Sequence, residues 1–191
     1  MPRAGLDPAT VTEAGAALAD EVGFARLSMG LLAERLGVKT PSLYKHVDNL
    51  ADLSHRIAVL AAVELGDALR DATQGRAGTD ALVAAAQAMR TYVVEHPGRY
   101  AAGNDVPPGG PDDPLSVAGN RVLASLSAVL RGYALAPDQE IHALRTLRSA
   151  LHGFAVLESE GGFRFAADVD ASFTWLVHLL DQGLRSGRAS T

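Results

Sequence analysis

Between Met29 and Leu43 the chain has little freedom in how it folds. Leu32, Leu36, Val38 and Leu43 are apolar at the spacing that two short crossing helices need on their facing sides. Ala33 is small where the helices would come closest. Gly37 stands where the chain must turn, a place at which a positive φ costs little. Ser28 is a capping residue ahead of a helix predicted over 29–36. Thr40 is expected to cap the next helix, with Pro41 at its first position, where the missing N–H would be unpaired anyway, and that helix ends near Val47. Six positions agree within fifteen residues, so the segment reads as a helix-turn-helix.

The chain's only two lysines, Lys39 and Lys45, lie in this same segment, although seventeen residues are Lys or Arg. From Arg35 to Val47 there are three basic residues, one histidine and no acid, in a chain of net charge −5. A field of that overall sign does not attract nucleic acid, so any such binding must rest on a local patch. Residues 1–60 hold six Lys/Arg against seven Asp/Glu, which makes the patch small.

The remainder is also helical in pattern, and the fold class expected is all-α: a three-helix head over residues 1–48 and a helical body over 49–191. Asp7-Pro8 starts a first helix that runs to about Val22 with Val11, Ala14, Leu18 and Val22 on its apolar face. Asp48 or Asn49 caps a long fourth helix with the stripe Leu50, Leu53, Ile57, Leu60 and Glu64. A break at Gln74–Gly78 precedes a helix to Glu95, which His96-Pro97-Gly98 ends. Residues 103–114, with four prolines and three glycines, are expected to be irregular, with Asp112 and Asp113 solvated. Helices follow over 115–131, 137–160 and 170–185, and the tail from Ser186 frays.

Composition closes several routes. There is no cysteine, hence no disulfide or thiolate metal site. No apolar run is long enough to span a membrane and no signal peptide opens the chain, so a soluble, cytoplasmic protein without membrane contact is expected. Lys39-Thr40 imitates the end of a phosphate loop, but Val38 replaces its glycine. No Gly-x-Ser-x-Gly occurs, and the six histidines lack metal-ligand spacing. The expectation is a protein that is not an enzyme and uses no cofactor.

The stretch Leu27-Ser28-Met29, Leu32-Ala33-Glu34-Arg35-Leu36-Gly37-Val38 and Leu43-Tyr44-Lys45-His46-Val47 resembles the N-terminal signature of the TetR family of transcriptional regulators. Ala16–Gly23 fits that family's first helix. Leu151-His152-Gly153-Phe154, Glu158 and Gly161-Gly162-Phe163 resemble the WHG-type regulatory domain of one branch, with Leu151 where that branch has Trp. The resemblance implies a homodimer, usually a repressor, whose heads bind operator DNA and whose bodies bind a small-molecule effector. On the matching positions it implies DNA contacts from Ser28, Met29, Lys39, Thr40, Pro41, Ser42, Tyr44, Lys45 and His46, with help from Arg3. Gly30, Asp48 and Leu50 stand where many members carry basic residues, which implies fewer phosphate contacts and a shallow salt dependence.

An effector pocket needs a few polar groups aimed inward from an apolar lining. Met89, Tyr92, Asn120, Arg148, His152 and Glu158 are the candidates, with His142 beside them. Phe173, Trp175, Leu176, Leu180 and Leu184 cover too much of the last helix for one buried face, so they are expected to form the dimer interface. The competing expectation is a small-molecule-binding or interaction protein whose near-neutral head binds DNA weakly.

Overall fold

The computed structural model describes residues 6–187. Among them are nine α-helices, one short 3-10 turn at Phe24–Arg26 and no strand, in agreement with the all-α expectation. No helix among the described residues is long and apolar enough to cross a membrane. The chain forms two compact units. One joins the residues up to Ala62 with Glu95–Ala118, and the other joins Val63–Val94 with the residues from Gly119 onward.

In the first unit, helix α1 (Pro8–Val22) starts as its sequence dictates, with the Asp7 carboxylate accepting the Thr10 N–H at 2.7 Å. Helices α2 (Met29–Leu36) and α3 (Thr40–Leu43) follow, then α4 (Leu50–Thr73), whose first half belongs to this unit. The core gathers Val11, Leu18, Leu32, Leu43, Val47, Leu53 and Ile57. Burying each such side chain is worth about 1.5–3 kcal/mol, and this core fixes the angle between α2 and α3.

Two apolar stripes differ from expectation. On α1 the buried face is Val11, Gly15, Ala16, Leu18 and Ala19, while Ala14 and Val22 are only half-buried. Gly15 lies where a Cβ would sit 3.2 Å from Leu53 and Ile57, so α4 packs on that side. On α4 the buried stripe steps by fours through Leu53, Ile57, Ala61, Leu65 and Leu69. Leu50 is exposed and Leu60 and Glu64 are half-buried, because small Ala61 rather than Leu60 carries the face onward.

The first unit also contains a helix that the sequence reading lacks. His96-Pro97 ends α5 (Gly78–Glu95) and at once begins α6 (Pro97–Asp105), so Gly103, Asn104 and Asp105 are helical and not irregular. Proline is a stop for the preceding helix and a ready first residue for the next. This short helix lies directly on α1. A Cβ on Gly98 would sit 2.1 Å from the Ala19 backbone carbonyl, so only glycine permits the approach. Asp20 then clamps α6, accepting the Arg99 N–H at 2.8 Å and Nε at 2.9 Å, with His96 Nδ1 at 3.3 Å.

The irregular stretch shrinks to residues 106–113, and Asp113 is not solvated. Its carboxylate accepts the N–H groups of Gly109 and Leu115 and lies 2.8 and 3.0 Å from His55 Nε2 on α4. These bonds, the Gly109 and Leu115 N–H groups first, hold the Asp113 carboxyl below its ordinary range.

The second unit comprises the rest of α4, with α5, α7 (Pro114–Arg131) from Gly119, α8 (Glu140–Ser159) and α9 (Val169–Ser186). Helix α8 begins at Glu140 and not at Pro137, whose residue lies in the turn before it. Leu82, Met89, Leu126, Leu130, Leu147 and Leu151 form its core. Arg90 of α5 ties two further helices, pairing with Glu158 of α8 at 2.5 and 2.6 Å and with Asp170 of α9 at 2.7 Å. Its guanidinium also lies over the Phe173 ring at 4.7 Å and the Phe154 ring at 5.8 Å.

Candidate nucleic-acid interface and body cavity

The turn of the head is built from backbone bonds. Ser28 Oγ accepts the Leu31 N–H at 3.2 Å and so caps α2. Gly37 adopts φ 65° and ψ 33°, the left-handed conformation its position calls for. Its N–H bonds to the Glu34 carbonyl at 3.1 Å, and the Val38 N–H returns to Ala33 at 3.0 Å. The chain leaves this turn extended at Lys39, whose carbonyl receives the first bond of α3 from the Ser42 N–H at 2.8 Å. Lys39 is therefore the cap, and Thr40 and Pro41 are the first two helical residues; Thr40 makes no capping bond. The regular part of α3 ends at Leu43, and turns through His46 continue it, so the helix is shorter than expected.

Lys39, Pro41, Tyr44 and Lys45 are exposed, and Ser28, Thr40, Ser42 and His46 are half-buried. Tyr44 is 51% exposed, so it does not fill the head core. Met29 is buried with Leu32 and Ala33 on the inward face of α2, and its side chain packs the head instead of facing outward. Arg3 lies outside the described residues.

Three arginines of this unit are paired with acids, while Arg26 donates to the Val22 carbonyl instead. Arg35 holds Glu21 with two hydrogen bonds of 2.6 and 2.7 Å, a bidentate pair that keeps the Glu21 carboxyl below its usual range. Arg56 pairs with Asp52 at 2.9 Å, and Arg99 pairs with Asp20 at 2.9 Å and Glu13 at 3.6 Å. Lys39 and Lys45 have no acidic partner among the described residues. Arginine's planar fork suits carboxylate, whereas a lysine is a mobile point charge. Arg35, counted from sequence with the lysines, is thus already neutralised. At the start of α4, Asn49 Oδ1 accepts the Asp52 N–H at 2.9 Å and is the cap, while Asp52 Oδ2 accepts the Asp48 N–H at 3.0 Å.

In the body, Met89 and Tyr92 are buried, and Tyr92 Oη donates to Glu64 at 2.8 Å. Glu158 is engaged by Arg90. Asn120, Arg148 and His142 are exposed and His152 is half-buried. None of these lines a cavity found in the body between α5 and α9. That cavity has a volume of about 240 Å³ and is lined by Thr79, Val83 and Gln87 on α5 and by Phe173, Thr174, Val177, His178 and Asp181 on α9.

Asp181 is 7% exposed, the one buried charged residue among those described. It accepts hydrogen bonds from Thr79 Oγ1 at 2.7 Å, Tyr133 Oη at 2.6 Å and Arg185 Nε at 2.8 Å. Burial opposes its ionisation, but the three bonds outweigh that and hold the carboxyl at about 2. Burial, then the bond to Asp181, push the Tyr133 phenol up. The sequence held one clue to this site: an acid at position 181 inside the apolar stripe of Phe173, Val177 and Leu184.

The last helix also differs from expectation. Phe173 and Leu184 are buried within their own unit, Phe173 against Phe154 with ring centroids 5.1 Å apart, so neither is available to a partner. Leu176 and Leu180 are half-buried. Trp175 is 65% exposed, as are in large part Leu179 on the same helix and Ile141 and Leu157 on α8.

Comparison with known proteins places this geometry. Residues 11–56 match the model described as bacterial regulatory proteins, tetR family, and residues 82–180 match that of the tetracyclin repressor-like C-terminal domain. An HTH-type transcriptional regulator of Mycobacterium tuberculosis is 37% identical over 191 residues, spanning 97% of this chain and 87% of its own. A TetR variant of Acinetobacter baumannii AYE, solved in complex with minocycline, is 24% identical with a TM-score of 0.71 and covers 97% of this chain and 100% of its own. BioQ, solved with its double-stranded DNA operator, is 23% identical with a TM-score of 0.67 and covers 95% and 99%. At these identities the two structures speak to fold alone. The matched regions, and a relative similar over nearly the full length, show that the chain belongs to the TetR family of transcriptional regulators, with a helix-turn-helix DNA-binding head.

Proposed function

We propose that this chain is a cytoplasmic, ligand-responsive repressor that binds a pseudo-palindromic operator as a homodimer, with residues 1–48 reading DNA and 49–191 binding the effector and pairing the subunits. The observation that carries this reading is the pair of exposed lysines, without an acidic partner among the described residues, flanking the α3 turn while Arg35, Arg56 and Arg99 are paired with acids. Lys39, Lys45 and the Tyr44 hydroxyl meet phosphates; Thr40, Pro41 and Ser42 lead into the major groove, which is about 12 Å wide. Ser28 and His46 add contacts at the edge of the same surface, and Arg3 from the arm.

The homodimer draws support from the exposed Trp175, Leu179, Ile141 and Leu157, an apolar surface of the kind that marks an interface. Gly153 on α8 adds to it, because a Cβ there would meet nothing within 4 Å and a partner helix has room to approach. The effector role draws support from the body cavity and from the neighbour solved with minocycline, as the operator role does from BioQ with its operator. The near-neutral head, with six Lys/Arg against seven Asp/Glu over residues 1–60, favours a second reading in which it binds DNA weakly and the protein acts as a small-molecule-binding or interaction protein.

Binding of the purified chain to its own upstream DNA and to a random duplex, followed by anisotropy across a salt series, tests the proposal. A specific complex with two chains per site supports it. Each lysine–phosphate contact contributes about −0.9 to the salt slope, so the slope is shallow. No preference over random DNA at low salt favours the second reading.

A further inference from the structure

We infer that the cavity between α5 and α9 is a binding site for a small organic cation, an apolar ring carrying a short ammonium arm. This rests on the reading of the body as the effector-binding part, and it names the effector's chemistry. Three observations carry it: the size of the cavity, the composition of its floor and rim, and the one charge buried in it.

An apolar cavity of roughly 150 Å³ is enough to take up benzene. The space between α5 and α9, about 240 Å³, therefore holds one ring and an arm of two or three atoms. Its floor is apolar: Phe173 and Val177 are both buried side chains of α9. Its rim is mixed, with half-exposed Val83 and exposed Gln87 on α5 facing Thr174 and His178 on α9. The lining thus offers a ring an apolar seat and leaves the mouth wettable.

The charge sets the class of ligand. Asp181 is the only carboxylate in the lining, and it is buried. A carboxylate has about four lone-pair sites. Thr79, Tyr133 and Arg185 fill three, which leaves one for a further donor, and Asp181 itself lines the cavity. Arg185 bonds Asp181 at 2.8 Å and offsets part of its charge, but it fills only one of the lone-pair sites. A donor arriving beside Phe173 and Val177 meets the carboxylate in a drier setting. An ammonium N–H makes a charge-assisted bond about twice as strong as that of a neutral hydroxyl, whereas a carboxylate brings no donor to the open lone pair.

The test uses three ring-sized probes of nearly equal shape on the full chain at neutral pH: 2-phenylethylamine, 2-phenylethanol and 3-phenylpropanoate. Calorimetry is expected to give binding of the amine at least ten-fold tighter than that of the alcohol, and none of the acid. Val83→Trp, a change at the half-exposed rim that leaves the Asp181 bonds intact, is expected to weaken the amine at least ten-fold. Asp181→Asn is expected to erase the difference between amine and alcohol. Should that variant fail to fold, Val83→Trp decides alone. Equal affinities for amine and alcohol, no heat with amine at millimolar concentration, or an unaltered amine affinity in Val83→Trp would each overturn the assignment. No DNA is present in this experiment. A chain that binds amine but no operator overturns the regulator reading and not the site, and one that binds operator but not amine does the reverse.

Discussion

Gly98→Ala is the sharpest test of how the DNA-binding unit is held. The added Cβ would lie 2.1 Å from the carbonyl carbon and oxygen of Ala19 and 2.5 Å from the Asp20 nitrogen. Non-bonded carbon atoms settle at about 3.5–4.0 Å, so α6 must withdraw from α1 by more than about 1 Å. All three obstructing atoms are backbone, so no side chain can swing aside. The withdrawal would stretch the Arg99 N–H and Nε bonds to Asp20, now 2.8 and 2.9 Å, past useful length. Overpacking costs about 1–3 kcal/mol and weakening the bonds to a carboxylate about 1.5–3 more, together about 2.5–6 kcal/mol. At about 2–4 °C per kcal/mol for a chain of this size, melting should fall by about 5–24 °C, read by far-ultraviolet circular dichroism. Gly119→Ala in α7 is the control, because nothing lies within 4 Å of its Cβ and alanine favours a helix by about 0.8–1.0 kcal/mol. A Gly98→Ala protein that melts within about 2 °C of the parent would refute the close packing of α6 on α1.

Three further outcomes are expected. Lys45→Ala should weaken operator and random DNA alike and flatten the salt slope by about 1 per half-site; an unchanged slope in the anisotropy series would remove Lys45 from the phosphate contacts. Trp175→Glu should give folded monomers in sedimentation, because the side chain is exposed within the subunit and a charge there is costly only against a partner; an intact dimer would place the interface elsewhere. The Asp181 carboxyl is held at about 2 against an ordinary 3.8, so its folded pKa is depressed and its contribution is present above about pH 4 and lost as pH falls through about 2. Asp181→Asn should lack that acid-labile component, on the order of 2 kcal/mol; identical loss of stability in parent and variant between those pH values would contradict it.

What could be read from sequence was local. Asp7, Ser28, Asn49 and Gly37 act within four residues of themselves, so residue type and spacing suffice to place helix starts and the turn. Proline at 97 was ambiguous, because it obeys one rule as a terminator of α5 and another as the first residue of α6. The rest depended on pairings across long sequence separation. His55 meets Asp113, Arg90 meets Glu158 and Asp170, and Thr79 meets Asp181, and no periodicity joins such partners. The same limit explains Phe173 and Leu184. An apolar helix announces that it will be covered, but only the neighbouring rings and helices decide which residues its own chain covers and which it leaves to another.

The separation of lysine from arginine has a practical side. Lys39 and Lys45 carry every side-chain amine of the protein, and both are exposed. A lysine-specific protease therefore has only the bonds after these two residues to cut, and both lie at the α3 turn. An amine-directed reagent will modify the same two places and, apart from the chain's own α-amino group, nothing else. Protection of those amines when a duplex is added reports occupancy of the surface proposed to face DNA, residue by residue, by mass alone.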